Sequence, residues 1–285
     1  MERSQAAIDR RNAAAQKFAK NYGDTLWHYT NIRALDGILS NKEIWFGNTE
    51  VVNDRVELTG FIDDLEKAVR ERISQEHIQK ADDIFQQIKK QFPKGYPYIF
   101  CLSRAGEDAA QWERYANGGQ GVAIVFRTEA LQKLLYYNNF IMNEEFYEYN
   151  AKCHQLCNML MGYIQKGELI GFSNLDGLID NLLLCAMLHK HPSFSPEQEI
   201  RIAPFFIQDT DPHVQYKLQD TIRKVYVLNL MKLCEQEGII FEDLIDSIVI
   251  GPRSKQSVSA LQGYCRHLGL SDLSERIRNS DCPLR

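Results

Sequence analysis

The chain has 285 residues, 44% of them hydrophobic and 25% charged, and a formal net charge of −5. This is the composition of an ordinary globular protein with enough length for a sizeable core, and its slight acidity leaves no electrostatic footprint for sequence-independent nucleic-acid binding. Seven scattered cysteines show none of the spacings of a disulfide framework or zinc site, and no segment has the length and apolarity of a membrane span, so a cytoplasmic protein without membrane contact is expected.

Residues 1–22 predict a helix of low hydrophobicity that Gly23 ends. Thr25 to Tyr29 reads as a short strand. Asn31 then caps a helix with Ile32, Leu35, Ile38 and Leu39 on one face. Glu43 to Phe46 returns as a strand, followed by one helix bearing Leu58, Phe61, Ile62, Leu65 and Val69 and another bearing Ala81, Ile84, Phe85, Ile88 and Phe92. Pro93 and Gly95 break the chain before the apolar run Tyr98 to Leu102, a buried strand by its pattern, and a second such run spans Val122 to Phe126. Helices are predicted at 151–166 and 175–189, strands near 199–207, 224–229 and 247–251, and a closing helix near 255–268. The fold class expected is α+β: an N-terminal helix at 1–22, then one domain over 23–285 whose mostly antiparallel sheet is interrupted by helices, with a helical insertion at about 127–190.

Several polar residues sit where chemistry can be placed, and each has a bland alternative. His28 lies in a strand between Trp27 and Tyr29, where a half-buried structural histidine is the plain reading, with Thr30 or Asn31 as the cap that follows. Glu197, Glu199 and Arg201 share one face if the strand alternates from 197 onward, which makes either a wet surface or the floor of a cleft. The proline-bearing loop His191 to Pro196 before them favours the cleft, since loops on rigid flanks commonly carry binding groups. In Asn53 to Glu57, Asp54 with Glu57 three residues later has the spacing of a capping box. Beyond the buried strand ending at Ser103 come Arg104, Asp108, Trp112 and Tyr115. The rings of Trp112 and Tyr115, three residues apart, suit core packing or a platform for a flat ligand. Cys153, His154 and Cys157 share a helix without two further ligands, so buried thiols rather than a metal site are expected. No phosphate-cradling glycine motif precedes a helix.

Taken as a set, Trp27-His28-Tyr29-Thr30, Ile44-Trp45-Phe46, Asn53 to Glu57, Phe100 to Ser103, Trp112 to Ala116, Gly121 to Ile124, Glu197 to Arg201, Ile250-Gly251-Pro252 and the closing Ser280 with Pro283-Leu284-Arg285 resemble a widespread microbial family, the domain of unknown function 2971. That family is distantly similar to ADP-ribosyltransferases, including DNA-modifying toxins with His-x-Thr on the first strand. The resemblance implies a split, mostly antiparallel sheet that clamps NAD as co-substrate and needs no metal. His28 would hold a ribose and Glu199 would be the catalytic carboxylate. Glu197 would be the second acid of a Glu-x-Glu pair near the acceptor, a protein or nucleic acid, with Asn53, Asp54 and Glu57 on the same side. Tyr29, Thr30 and Ser103 would line the cofactor, Trp112 or Tyr115 would stack on nicotinamide, and Arg104 or Arg201 would pair with pyrophosphate.

One carboxylate suffices for that chemistry. Nicotinamide leaves as a neutral molecule, and a glutamate facing the oxocarbenium-like ribose supplies electrostatic stabilisation. The leading expectation is therefore an NAD-using ADP-ribosyltransferase or NAD glycohydrolase acting as a toxin-like or phage-defence effector, in which Glu199→Gln removes activity at little cost in melting temperature. A non-catalytic nucleotide- or protein-binding module is the second reading, and a metal-dependent nuclease built on Asp54, Glu57, Glu197 and Glu199 is the third.

Overall fold

A computed structural model describes residues 3–48, 55–91, 98–145, 151–167, 175–205, 207, 210–218 and 221–284. Helix α1 (Gln5–Tyr22) closes at Gly23, whose φ of 99° only glycine adopts readily. Strand β1 (Thr25–Thr30) leads to Asn31, whose side chain accepts from Ala34 N at 2.8 Å and so caps α2 (Ile32–Asn41). Strand β2 (Glu43–Asn48) precedes helices α3 (Arg55–Arg70) and α4 (Ile78–Gln91), and the apolar run at 98 forms β3 (Tyr98–Ser103). Next come α5 (Ala109–Tyr115), β4 (Val122–Arg127), α6 (Thr128–Leu135) and β5 (Phe140–Glu144). Helices α7 (Ala151–Lys166) and α8 (Leu175–Leu188) lead through a 3-10 turn, Pro192–Glu197, into β6 (Glu199–Pro204). The hairpin β7 (Val214–Leu218) and β8 (Ile222–Asn229), α9 (Leu230–Glu237), β9 (Ile245–Ile250), α10 (Val258–His267), α11 (Ser271–Ser274) and β10 (Ile277–Asn279) complete the chain.

The architecture is α+β with an open, mostly antiparallel sheet; among the described residues β10 alongside β9 is the parallel pair. Strand β3 is where the sheet forks. One of its edges pairs with β2 at Tyr98 and Ile99 and with β1 at Ser103, while its other edge pairs with β6 from Phe100 to Ser103. One arm runs β10-β9-β4-β1-β3-β6-β5 and the other β3-β2-β8-β7. Because side chains alternate across a strand, the two faces bury different cores. One face carries Leu26, Phe100, Leu102, Ile124, Ile200 and Ile202 into the main core with Ile44, Phe46 and Leu228 of the other arm. The opposite face carries Trp27, Tyr29, Ala123 and Val125 against Trp112, and further along it Ile99 and Ala203 against α3, α4, α7 and α8.

One expectation changes: the span 127–190, expected to be a helical insertion, also contains β5, which pairs with β6 from Ile200 to Pro204. The strand expected near 199–207 runs from Glu199 to Pro204, and Gln198 just before it takes a left-handed φ of 47°, so strand alternation does not extend back to Glu197.

Candidate functional site

Five charged side chains converge at the start of β6, and all are nearly sealed from solvent: Glu145, Lys190, Glu197, Glu199 and Arg201 are 3–5% exposed. The Lys190 ammonium lies 2.8 Å from Glu197 Oε2 and 2.5 Å from Glu199 Oε2, with Glu145 Oε2 at 3.9 Å. Arg201 Nε is 3.0 Å from Glu199 Oε1 and pairs with Glu145, while its Nη1 donates to the Met187 carbonyl at 2.5 Å. At the rim, Arg114 Nη1 and the Tyr115 hydroxyl both donate to Glu197 Oε1 at 2.9 Å. Three carboxylates thus meet three cations. Burying them unpaired would be prohibitive.

Local structure explains the convergence. Glu197 and Glu199 meet the same ammonium from either side of Gln198, whose φ of 47° is left-handed. Ser103 Oγ donates to the Glu197 carbonyl at 2.6 Å and accepts from Ala105 N at 3.0 Å, fixing the turn against β3. Arg104 pairs with Glu144 at the end of β5. Burial alone would raise the Glu199 pKa, but the charges of Arg201 and Lys190 hold it well below the ordinary carboxylate range. Burial alone would likewise lower the Lys190 pKa, and Glu199 and Glu145 hold it above its usual value. Both groups are charged at neutral pH. Beside Glu199, the Cys101 thiol has its pKa pushed upward, by desolvation first and by the Glu199 charge second.

Of the described candidates, the structure gathers Glu197, Glu199, Arg201, Tyr115 and Ser103, with Arg104 next to Ser103, and leaves His28, Tyr29, Thr30 and Trp112 outside the cluster. Trp27 faces Ser103 in the β1–β3 register and Ser103 faces Glu199 in the β3–β6 register, so those three share a face. His28, one residue on, leaves the opposite face. The expected groove with His28 and Glu199 on its walls is therefore not formed. His28 instead fills the fork where β1 parts from β3: Nδ1 meets the Cys101 carbonyl at 3.0 Å, which fixes the proton on that nitrogen, and the ring stacks on Phe100 at 4.3 Å. Burial lowers its pKa to about 4 against a smaller opposing effect of that bond. Tyr29 is buried with its hydroxyl donating to the Ala105 carbonyl at 2.7 Å, and Thr30 is buried beside it.

Trp112 is wholly buried, edge-on to Tyr29 at 4.9 Å, whereas Tyr115 is 46% exposed. The two rings form no common platform, because the β-sheet takes the first and the charged pocket the second. Asn53 and Asp54 and the Glu57 side chain lie outside the described residues. Among the described residues no group of three or more His, Cys, Asp or Glu is arranged to hold a metal ion, and no helix is long and apolar enough to cross a membrane.

Sequence reasoning missed Lys190, Glu145 and Arg114. A lysine between two histidines and the second acid of Glu144-Glu145 carry no periodic signal, and only the excess of acids around 197–199 asks for nearby cations. No curated protein and no solved structure matches the chain. Residues 111–202, from α5 to β6, which contain all of the charged cluster and make up about a third of the chain, match the model of the family described as Protein of unknown function (DUF2971).

Proposed function

We propose that this protein cleaves the nicotinamide–ribose bond of NAD, passing ADP-ribose to a macromolecular acceptor or to water, with Glu199 as the catalytic carboxylate. The observation that carries this reading is a pair of carboxylates enclosing a cation in a nearly dry pocket: Glu197 and Glu199 both grip the Lys190 ammonium. A site of that kind stabilises positive charge, and positive charge is what develops on the ribose as nicotinamide departs. Lys190 has to swing aside for the sugar to take its place, while Arg201 keeps Glu199 ionised and oriented. Arg114, with a half-exposed side chain, and Tyr115 stand at the rim, where a guanidinium suits pyrophosphate and a ring suits nicotinamide. His28 has no part in this pocket and acts as a wedge that holds the sheet's fork.

A non-catalytic binding module is the second reading. It is favoured by the Glu199 carboxylate's having both oxygens engaged, one by Lys190 and one by Arg201. Calorimetry with NAD and with ADP-ribose, alongside incubation of labelled NAD with cell lysate, separates the two. Uptake of label into protein, nucleic acid or free ADP-ribose supports the enzyme, and binding without any turnover selects the module.

A further inference from the structure

Strand β7 ends one arm of the sheet, and among the described residues nothing pairs with its outer edge. Its register with β8, Tyr216 opposite Lys224 and Leu218 opposite Ile222, puts Tyr216, Leu218 and Ile222 on one face. These are 71%, 79% and 70% exposed, more than the other large apolar side chains of the described surface. Soluble proteins guard such edges with proline, bulges or inward charges. Here β7 keeps five consecutive pairs with β8 and contains no proline. Its one charge, Lys217, is on the other face with its ammonium 5.1 Å from the Trp45 ring centre.

We infer that β7 is a dimer interface, pairing antiparallel with β7 of a second copy of this chain about a two-fold axis at Tyr216. The strand reads Val214-Gln215-Tyr216-Lys217-Leu218, an alternation that is the same from either end. Antiparallel self-pairing sets Tyr216 against Tyr216 of the second copy and Val214 against Leu218 of the second copy on one face, with Gln215 against Lys217 of the second copy on the other. Apolar meets apolar, amide meets ammonium, and no like charges lie directly opposite. The two Lys217 residues sit diagonally, about 7–8 Å apart. Lys224, one strand inward, faces its counterpart across three strand spacings, about 14 Å, beyond the screening length of ~8 Å at physiological salt. A two-fold contact also closes on itself, so the open edge is consumed without growth into fibres.

Sedimentation of the full chain over a micromolar concentration series tests this. A concentration-dependent dimer is expected, and Tyr216→Lys or Leu218→Lys should weaken it at least a hundredfold. Because both side chains are exposed in the monomer, melting measured at a concentration where each is monomeric should be unchanged. Under mild oxidation Tyr216→Cys should form a cross-linked dimer, whereas wild type and Lys217→Cys should not, since diagonal positions exceed disulfide reach of about 7 Å between Cα atoms. A monomer at every concentration, which would leave the edge to a strand of some other protein, overturns the proposal. So does a dimer indifferent to Tyr216→Lys, or cross-linking of Lys217→Cys as efficient as that of Tyr216→Cys.

Discussion

Replacing Lys190 with methionine keeps an unbranched side chain only one heavy atom shorter and removes the one ammonium shared by Glu197 and Glu199. What remains is three buried carboxylates against Arg201 inside and Arg114 at the rim. Breaking a buried ion pair from one side costs about 3–5 kcal/mol, because the abandoned charge stays desolvated. For a protein of this size that is a drop in Tm on the order of 10 °C. Urea denaturation at pH 7 reads the loss directly. Adding Glu199→Gln to Lys190→Met deletes the stranded charge, so the double variant should regain roughly 2 kcal/mol of what the single one lost, a coupling only contacting residues show.

The acid limb adds a second readout. The Glu199 pKa is depressed in the fold, so its stabilisation is complete above the ordinary carboxylate range and fades as pH falls through and below it. Lys190 titrates far above that window in either state. The gap between wild type and Lys190→Met should therefore narrow toward pH 3, as protonation neutralises the Glu199 carboxylate that the lysine compensates. A single variant within 1 kcal/mol of wild type, or a gap constant from pH 7 to 3, would refute a tightly closed network. The same network revises the expectation for Glu199→Gln, which breaks bonds to Lys190 and Arg201 and so lowers the melting temperature as well as activity.

Glu237, with its side chain sealed at the end of α9, is held by Arg3, by Arg11 at 2.8 Å and by Asn138 at 3.1 Å; Arg3→Ala with Arg11→Ala should cost about 3 kcal/mol in chemical denaturation, and a loss under 1 kcal/mol would show that α1 is not anchored there. The His28 pKa, about 4 in the fold against 6.5 ordinarily, makes the folded state lose up to about 3 kcal/mol as pH falls from 6.5 to 4; His28→Gln should flatten that slope, and the ring's NMR titration should show a midpoint near 4 rather than 6.5. Gly121→Ala would drive a methyl into the Thr30 carbonyl and to 3.0 Å from the Ala116 carbonyl, so a melting temperature lowered by well over 5 °C is expected from a clash of about 3 kcal/mol or more, and an unshifted transition would contradict the close packing of that loop on β1.

Apolar periodicity made most elements legible. The faces of α2, α3 and α4 and the runs of β3 and β4 follow from spacing alone, as does the cap at Asn31. Less legible were β5 and β7: Phe140-Ile141-Met142-Asn143-Glu144 alternates poorly, and β7 has two of its three apolar side chains in solvent. Period-two spacing already suggests that Glu197 and Glu199 share one site, but neither the Lys190 cation between them nor the left-handed Gln198 is legible, since a non-glycine positive φ has no reliable signature in sequence. The parity that separates His28 from Glu199 depends on which residues of β1, β3 and β6 stand opposite one another. Such a register is set by the packing of the whole sheet. Pairs such as Arg3 with Glu237 span the chain and leave no local pattern at all.

The most direct test is nicotinamide release from NAD by wild type, Arg114→Ala and Glu199→Gln, each checked for folded spectra at the assay temperature. Steady release by wild type, weakened substrate affinity in Arg114→Ala and loss of at least a hundredfold in turnover for folded Glu199→Gln are the predicted results. No release by the wild-type protein at millimolar NAD, or turnover in Glu199→Gln equal to wild type, would contradict the assignment of Glu199 as the catalytic carboxylate.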